Sequence, residues 1–252
     1  MRGDTMRALI LGVGDAFTRL HYGSSALIEA PEGHILLDCP DPIHRVIHEA
    51  ASRHGWEVDV SVIDDIVLTH LHGDHCNGLE SVGFTGWVDR KTGARQNPPR
   101  LHTTAPVIDR LWQRLAPAMD TLIGVERPVR IDDYFDVRLL EPETEATIAG
   151  LRVRCRFTTH HVPTIGLLIS DGQRTLGWSG DTLFEAAHIE WLSAADLIVH
   201  ETNHPPAHTT IEELNALPDA LRRKIRLIHM GDDFDPASTD MRPLTDGELL
   251  EL

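Results

Sequence analysis

The stretch His70-Leu71-His72-Gly73-Asp74-His75 follows directly on a short apolar run that is typical of a buried strand. In an extended segment, residues two apart project to the same side, so His70 and His72 can bind one cation together. Asp74 and His75 come after the glycine turn and point elsewhere, which favours a second cation close by. A loop with four unrelated polar residues is the poorer explanation of this density of potential ligands.

The donor atoms of this stretch indicate the kind of metal. They are imidazole nitrogens and a carboxylate oxygen, and the three cysteines, Cys39, Cys76 and Cys155, have no CxxC spacing. The cysteines therefore predict no disulfide framework, and their odd number is in keeping with the reducing cytoplasm. Nitrogen and oxygen donors favour Zn²⁺, with Mn²⁺ or Fe as alternatives.

Length, composition and charge exclude several classes of protein. The 252 residues carry 39 Asp and Glu against 23 Lys and Arg, a formal net charge of −16, and 41% are hydrophobic. That apolar fraction supplies a sizeable core and excludes disorder of the whole chain. The acidity disfavours bulk nucleic-acid binding, which needs Lys and Arg to displace counterions. No apolar run approaches the ~20 residues that span a bilayer, and residues 1–7 do not resemble a signal peptide, so we expect no membrane partner and a cytoplasmic location.

The pattern of apolar residues predicts many strands with helices between them. A hairpin is expected where residues 26–29 and 34–37 flank the turn Pro31-Glu32-Gly33. Helices are expected from Pro42 to a close at Gly55 and over 106–119. Further strands are predicted at 7–11, 65–68, 151–158, 165–170, 174–178, 196–199 and 225–228. Histidine or an acidic residue recurs just past several strand ends, which predicts one site at one edge of the sheets.

Residues 86–100 are turn-rich and locally basic, and we predict that they form a loop. The segment carries Arg90, Lys91, Arg95 and Arg100 beside a single acidic residue. Two roles fit this composition equally well. One is a flap that meets anionic groups over the site, and the other is an ordinary solvated surface loop.

The His-x-His-x-Asp-His pattern after a strand resembles the signature of the metallo-β-lactamase superfamily, and the resemblance extends over most of the chain. Residues 11–17, Leu-Gly-Val-Gly-Asp-Ala-Phe, are similar to the opening strand and turn of its ribonuclease Z and phosphodiesterase branches. Residues 35–39 are similar to the second hairpin of those branches. The resemblance implies an α+β fold, a four-layer αββα sandwich of two mixed sheets flanked by helices, in one hydrolase domain over residues 1–252.

The resemblance also implies the remaining metal ligands. The stretch 159–166 is similar to the ribonuclease Z segment in which a histidine precedes x-Val-Pro-x-x-Gly, and that register selects His160 rather than His161. Trp178-Ser179-Gly180-Asp181-Thr182 is similar to the motif of a bridging aspartate. The implied set for two Zn²⁺ per chain is His70, His72 and His160 on the first ion, Asp74, His75 and His229 on the second, and Asp181 between them.

Two further motifs resemble the ribonuclease Z branch and imply a proton donor. His200-Glu201-Thr202-Asn203 resembles its His-Glu-Ala-Thr motif, and His208-Thr209-Thr210 resembles its downstream His-Ser-Thr. By this resemblance His208 gives a proton to the leaving oxygen, Glu201 orients it, and Asp74 also orients the attacking water. The alternative is that His208 only caps the helix that follows it.

One departure from the ribonuclease Z pattern bears on the substrate. Only 20 positions separate His160 and Asp181, which leaves no room for the long arm that grips transfer RNA in that branch. The favoured function is therefore a dinuclear metal-dependent hydrolase of phosphodiester bonds, either ribonuclease Z-like or acting on a small or cyclic nucleotide. The alternatives are a hydrolase of carboxylic esters, thioesters or lactones and, less favoured, a non-catalytic metal-binding protein. The expected partner is a small anionic or phosphodiester substrate, and a homodimer is expected by analogy alone.

Overall fold

The computed structural model describes residues 6–252. Residues 1–5 lie outside the described residues. The expectation that residues 1–7 do not form a signal peptide falls mostly on this segment. Over residues 6–252, no helix is long and apolar enough to cross a membrane.

Strands and short helices alternate along the described chain. The strands are β1 (Arg7–Gly12), β2 (Ser25–Ala30), β3 (Gly33–Leu37), β4 (Asp65–Val67), β5 (Arg100–Thr103), β6 (Asp136–Leu139), β7 (Glu145–Ile148), β8 (Leu151–Thr158), β9 (Thr164–Ser170), β10 (Thr175–Trp178), β11 (Leu197–Glu201), β12 (Ile225–Ile228), β13 (Arg242–Pro243) and β14 (Leu249–Glu251). The α-helices are α1 (Ile43–Arg53), α2 (Gly73–Cys76), α3 (Leu79–Thr92), α4 (Ala105–Met119), α5 (Ala186–Leu192), α6 (Ile211–Asn215) and α7 (Asp219–Arg222).

The strands form two mixed sheets of seven strands each, in the orders β14-β1-β2-β3-β4-β5-β6 and β13-β12-β11-β10-β9-β8-β7. In the first sheet, β14 to β3 pair antiparallel and β3 to β6 pair parallel. The second sheet has the same division, with β7 to β10 antiparallel and β10 to β13 parallel. The predicted sandwich of two mixed sheets with helices is confirmed, and so is the hairpin that β2 and β3 form.

The central strands of the first sheet are apolar on both faces, because each face meets a different layer. Along β1, Ala8 and Ile10 join the core shared with the second sheet, whereas Leu9 and Leu11 join the core under the helices. Successive side chains of a strand point to opposite faces, so this alternation sorts them between the two cores. The same sorting applies in β2 to β4, and it explains why these strands are short continuous apolar runs.

Helices cover the outer face of each sheet. The apolar side of α1 (Ile43, Val46, Ile47 and Ala50) packs with residues of α3 and α4 on the first sheet. Ile189 and Leu192 of α5 belong to the core of the second sheet. The helices predicted near Pro42 and over 106–119 are present, the first beginning one residue later than expected.

The prediction of a loop over residues 86–100 is wrong for its first half, where α3 continues to Thr92. Two glycines of this helix lie where it packs closely against its neighbours. A Cβ on Gly83 would lie 2.7 Å from Met119 Cε, and one on Gly86 would lie 2.9 Å from Pro99 Cδ. Glycine thus permits the close approach of α3 to its neighbours.

The hypothesis that this basic segment forms a flap over the site is also wrong. Arg95 Nη2 donates to Asp64 at 2.8 Å, and Arg100 donates to Asp65 at 2.5 and 2.6 Å. These acids lie at the start of β4, whereas the histidine-rich stretch follows its end. The arginines are therefore paired at the opposite edge of the sheet from the site.

Candidate metal centre

The site forms where strand ends from both sheets meet. The stretch 70–75 follows β4 of the first sheet and turns into α2. In the second sheet β10, β11 and β12 are parallel, so Asp181, Glu201 and His229 all lie at one edge. His160 follows β8, which runs in the same direction as β10. The prediction of one site at one sheet edge agrees with this arrangement.

The first group of side chains surrounds a point between three imidazoles and a carboxylate. His72 Nδ1 lies 3.2 Å from His70 Nε2 and 3.0 Å from His160 Nε2. Asp181 Oδ2 lies 3.6 Å from both Nε2 atoms. One ligand atom from each of these four residues lies within 4.8 Å of all the others.

The second group lies beside the first and shares its aspartate. Asp74 Oδ2 is 3.1 Å from His229 Nε2 and 3.4 Å from His75 Nε2. Asp181 Oδ1 is 3.5 Å from His75 Nε2, and its Oδ2 is 3.4 Å from His229 Nε2. The carboxylate of Asp181 thus contacts both groups, as a bridging ligand would. The structure brings all seven predicted ligands together, and their individual roles stay predictions.

The hydrogen bonds behind the imidazoles fit metal binding. His70 Nδ1 lies 2.9 Å from Thr69 Oγ1, and His160 Nδ1 donates to the carbonyl of Ala207 at 3.1 Å. A neutral imidazole that donates from one nitrogen keeps a lone pair on the other, which here faces the cluster. His75 Nε2 is buried and has no hydrogen-bond partner. A divalent cation in each group would satisfy these nitrogens, and such mixed nitrogen and oxygen donors suit zinc.

Burial keeps two of these histidines neutral. It lowers the pKa of His160 to about 4 and the pKa of His70 well below its usual value. Taking an imidazolium out of water is unfavourable, so the uncharged, metal-binding form is the one present near neutral pH.

A carboxylate that the sequence analysis did not assign to the site lies directly behind it. Asp38 is fully buried, and its Oδ2 accepts hydrogen bonds from His75 Nδ1 at 2.9 Å and Thr69 Oγ1 at 2.8 Å. Its Oδ1 accepts the Thr69 backbone N–H at 2.7 Å. Asp38 therefore orients one predicted ligand directly and His70 through Thr69. The signal in the sequence is a lone acidic residue at the end of an otherwise apolar strand.

Half-buried His208 and buried Glu201 form a hydrogen-bonded pair next to the cluster. His208 Nδ1 donates to Glu201 Oε1 at 3.1 Å, and the same oxygen accepts the Thr182 N–H at 2.7 Å. Burial favours neutral His208, but the hydrogen bond to Glu201 and the negative charges of Glu201 and Asp181 together outweigh burial and raise the pKa of His208 above its usual value. The His208 side chain is 20% exposed, so it can reach a bound ligand.

The structure rules out the reading of His208 as a mere helix cap. Thr210 is the N-cap of α6, where it exchanges hydrogen bonds with Glu213 in a capping box. His208 instead has a ring nitrogen within 4.8 Å of ligand atoms of Asp181 and His229. It therefore lies close enough either to donate a proton at the site or to touch a cation there.

The neighbouring histidine of the His160-His161 doublet is exposed and lies outside the three groups of potential ligands. Its ring stacks on that of His160 at a centroid distance of 5.2 Å. The register that selects His160 agrees with this geometry.

A cavity of about 480 Å³ opens onto the cluster. That volume lies within the range of about 300–1,000 Å³ that is typical of small-molecule sites. The cavity is lined by Asp15, Ala16, Phe17, His72, Gly73, Asp74, His161, Asp181, Asn203, His204, Pro205, Pro206, Ala207, His208 and His229.

This fold and this cluster define a metal-dependent hydrolase of the metallo-β-lactamase fold. The metallo-β-lactamase fold protein YhfI of Bacillus subtilis has a similar structure, with a TM-score of 0.79, 16% identity, and 98% of this chain and 100% of that one covered. The short form of human tRNase Z is similar with a TM-score of 0.68 and 17% identity over 97% of this chain and 98% of that one. At these identities both show the fold alone.

The sequence matches the family described as "Anti-Pycsar protein Apyc1" over residues 6–245, and the chain belongs to that family. One relative, the Anti-Pycsar protein Apyc1 of Paenibacillus sp. (strain J14), is 30% identical over 239 residues, which are 91% of this chain and 91% of the relative. The resemblance to the superfamily that the sequence motifs indicate is confirmed.

Proposed function

We propose that this protein hydrolyses the phosphodiester of a small cyclic nucleotide. The observation that carries the proposal is the His208–Glu201 pair, which lies beside the two ligand groups and in which His208 lines the same cavity. A proton donor at that position assists the departure of a poor leaving group such as a ribose alkoxide. Membership of the Anti-Pycsar protein Apyc1 family supports a phosphodiesterase over a carboxylic ester hydrolase.

The residues of the site have distinct tasks in this reaction. The two ligand groups would hold cations, which would supply a lowered pKa for a bound water and positive charge beside the phosphoryl oxygens. Asp74 accepts a hydrogen bond from the attacking water and orients it. The water loses one proton to solvent as its oxygen bonds to phosphorus and the ester P–O bond breaks, and the proton on His208 Nε2 passes to the departing oxygen. Glu201 holds Nδ1 of His208 and stabilises the imidazolium before that transfer.

The shape of the molecule supports a small substrate. β9 and β10, joined by a tight turn, occupy most of the chain between His160 and Asp181, and the net charge of −16 repels a polyanion. A cavity of about 480 Å³ accommodates a mononucleotide rather than a folded RNA.

We also propose the finer features that the sequence predicts. The native ions are two Zn²⁺ per chain, a count that the two adjacent ligand groups support. The protein is cytoplasmic, where its substrate would be found, and it forms a homodimer.

The test is a substrate panel on metal-loaded protein. We expect hydrolysis of 3′,5′-cyclic nucleotides with purine and pyrimidine bases, loss of that activity on chelation, and little action on p-nitrophenyl acetate, acyl thioesters or lactones. Asp181→Ala should lose activity and metal together, because it removes the shared carboxylate. Asp109→Ala, on the exposed side of α4, should keep both. Turnover of an ester, thioester or lactone without cyclic nucleotide hydrolysis would make the alternative the better assignment.

A further inference from the structure

Phe17 is a large apolar side chain that the fold leaves in water. It is 89% exposed, and it lines the same cavity as Asp181, His208 and His229. Exposed aromatic side chains contribute nothing to a core, so the packing of the protein does not explain this residue.

The loop that carries Phe17 is tied to the metal centre on one side. The backbone N–H of Phe17 donates to Asp15 Oδ1 at 2.9 Å. Asp15 Oδ2 accepts a hydrogen bond from Asn203 Nδ2 at 2.9 Å, and Nδ2 also donates to the carbonyl of His229 at 3.0 Å. The position of the aromatic residue is therefore fixed relative to a predicted metal ligand.

The other side of the loop is anchored as well. Thr18 Oγ1 donates to Asp232 Oδ1 at 2.5 Å, and the Arg19 N–H donates to Asp232 Oδ2 at 2.9 Å. A backbone held on both sides cannot easily turn Phe17 into the protein. The hydrogen bonds of the loop thus hold Phe17 in its exposed position, so its ring is preorganised to contact a ligand.

The cavity combines a polar interior with a mostly apolar and aromatic outer lining. The interior is the aspartate and histidine cluster, and the exposed lining residues are Ala16, Phe17, Pro205 and Pro206 with the imidazoles of His161 and His204. The one carboxamide in the lining is already used, since Asn203 Nδ2 makes the two bonds above and Oδ1 accepts the His204 N–H at 2.8 Å. The outer lining therefore suits a flat apolar group held by stacking.

We propose that Phe17 is the platform on which the nucleobase of the substrate stacks, while the phosphate lies at the metal cluster. The inference rests on the proposed function, and it assigns the recognition of the base to this one side chain. Stacking on an aromatic ring tolerates different bases, because every base has a π face.

The test compares ligands with and without a base on metal-loaded protein. Dissociation constants of AMP, CMP and ribose 5-phosphate are measured by calorimetry for the wild type, Phe17→Ala, Phe17→Trp and Leu20→Ala. Leu20 is the matched control, because it lies in the same loop and is 70% exposed but does not line the cavity. We expect Phe17→Ala to weaken AMP and CMP by roughly fivefold to a hundredfold. Ribose 5-phosphate should be unaffected, Phe17→Trp should restore binding, and Leu20→Ala should match the wild type.

Three results would overturn the proposal. The first is an equal effect of Phe17→Ala on nucleotides and ribose 5-phosphate, and the second is no effect on either. The third is conversion of a dimer to a monomer by both Phe17→Ala and Leu20→Ala in sedimentation, which would assign the loop to contact with a second copy. The binding comparison needs no turnover. Base-dependent binding that requires Phe17, without cyclic nucleotide hydrolysis, would refute the proposed function and leave this assignment standing.

Discussion

The hydrogen-bond partner on the far nitrogen of each imidazole sets the protonation state in which that histidine can act. A carboxylate, a hydroxyl or a carbonyl holds the far nitrogen of four histidines: Asp38 behind His75, Thr69 behind His70, Ala207 behind His160 and Glu201 behind His208. The neutral partners leave His70 and His160 uncharged, with one nitrogen free toward the cluster, and Asp38 orients His75 as a carboxylate often does behind a metal-binding imidazole. Glu201 stabilises a proton on His208, which is what a general acid requires.

Removal of His208 should affect substrates according to their leaving groups. We expect His208→Ala to slow cyclic nucleotide hydrolysis by about 10²–10⁴-fold, the usual contribution of general acid catalysis. Hydrolysis of bis(p-nitrophenyl) phosphate should change much less, because p-nitrophenolate departs without a proton. Steady-state rates on both substrates and elemental analysis of the variant are the measurements.

The controls for this prediction distinguish a proton donor from a metal ligand. Metal content should be unchanged in His208→Ala, and Glu201→Gln should give a weaker form of the same selective loss. Equal losses on the two substrates would contradict the role of proton donor, and loss of metal would show that His208 acts as a ligand.

The two adjacent histidines after β8 should behave differently when each is replaced. His160→Ala should lower metal occupancy and abolish activity, because His160 Nε2 lies in the first ligand group. His161→Ala should keep its metal, because that side chain is exposed. Metal content of the two purified variants decides the matter, and the opposite pattern would select His161 as the ligand.

At the scale of helices and strands, the sequence predicts most of the scaffold. Continuous apolar runs mark β1 to β4, and alternation marks β8, because each strand keeps a fixed relation between sequence and buried face. α3 escapes prediction since its packing depends on absent side chains at Gly83 and Gly86, and glycine in a sequence more often marks a turn.

The candidate site is predictable to a similar extent. The predicted ligands are recognisable because they stand in compact motifs next to strand ends. Asp38 and Phe17 are not, since their roles arise only when distant segments meet. Asp38 reaches His75 across 37 positions of the sequence, and the Phe17 loop is fixed by residues more than 180 positions away.

The start of β4 should contribute to stability in a pH-dependent way. Asp65 is 1% exposed, and although burial raises its pKa, hydrogen bonds from Arg100 and His102 outweigh burial and hold that pKa to about 2, below the usual 3.8. This lowered pKa stabilises the fold above pH ~4 by about 2 kcal/mol, and the contribution is lost as the pH falls toward 2.

Asp65→Asn tests this by urea unfolding. We expect the free energy of unfolding at pH 7 to fall by about 2 kcal/mol, and the difference from the wild type to narrow below pH 4. Asp64→Asn is the matched control, because its side chain is 56% exposed and its pair with Arg95 should contribute little. A difference that stays constant from pH 7 to pH 3 would contradict the assignment. Metal content should not change in either variant.

For the whole molecule, the metal centre is a connection between the two sheets. The predicted ligands in the stretch 70–75 follow β4 of the first sheet, whereas His160, Asp181 and His229 follow strands of the second. Cations bound there would link the two sheets, so we expect metal binding to raise the stability of the fold.

Metal removal should therefore lower the melting temperature as well as the activity. We expect close to two ions per chain by elemental analysis, because the ligands are too many for one tetrahedral site. At free Zn²⁺ a thousandfold above its Kd, binding adds about 4 kcal/mol, or roughly 10 °C in Tm for a chain of this size. A chelator should abolish that increment in the wild type and Asp109→Ala, and Asp181→Ala should lack it. A stoichiometry that stays near one after reconstitution would contradict the dinuclear centre.

The pairing of β14 with the outer edge of β1 means that the first sheet can be completed only after β14 has been synthesised. Ala8 faces Leu250 across that pair, so β1 leaves the ribosome well before the strand that covers its edge. At about 5–20 residues per second, its edge stays open for roughly 10–50 s. During that interval the nascent chain exposes backbone groups that another strand can pair with, which makes the interval the natural window for chaperone protection.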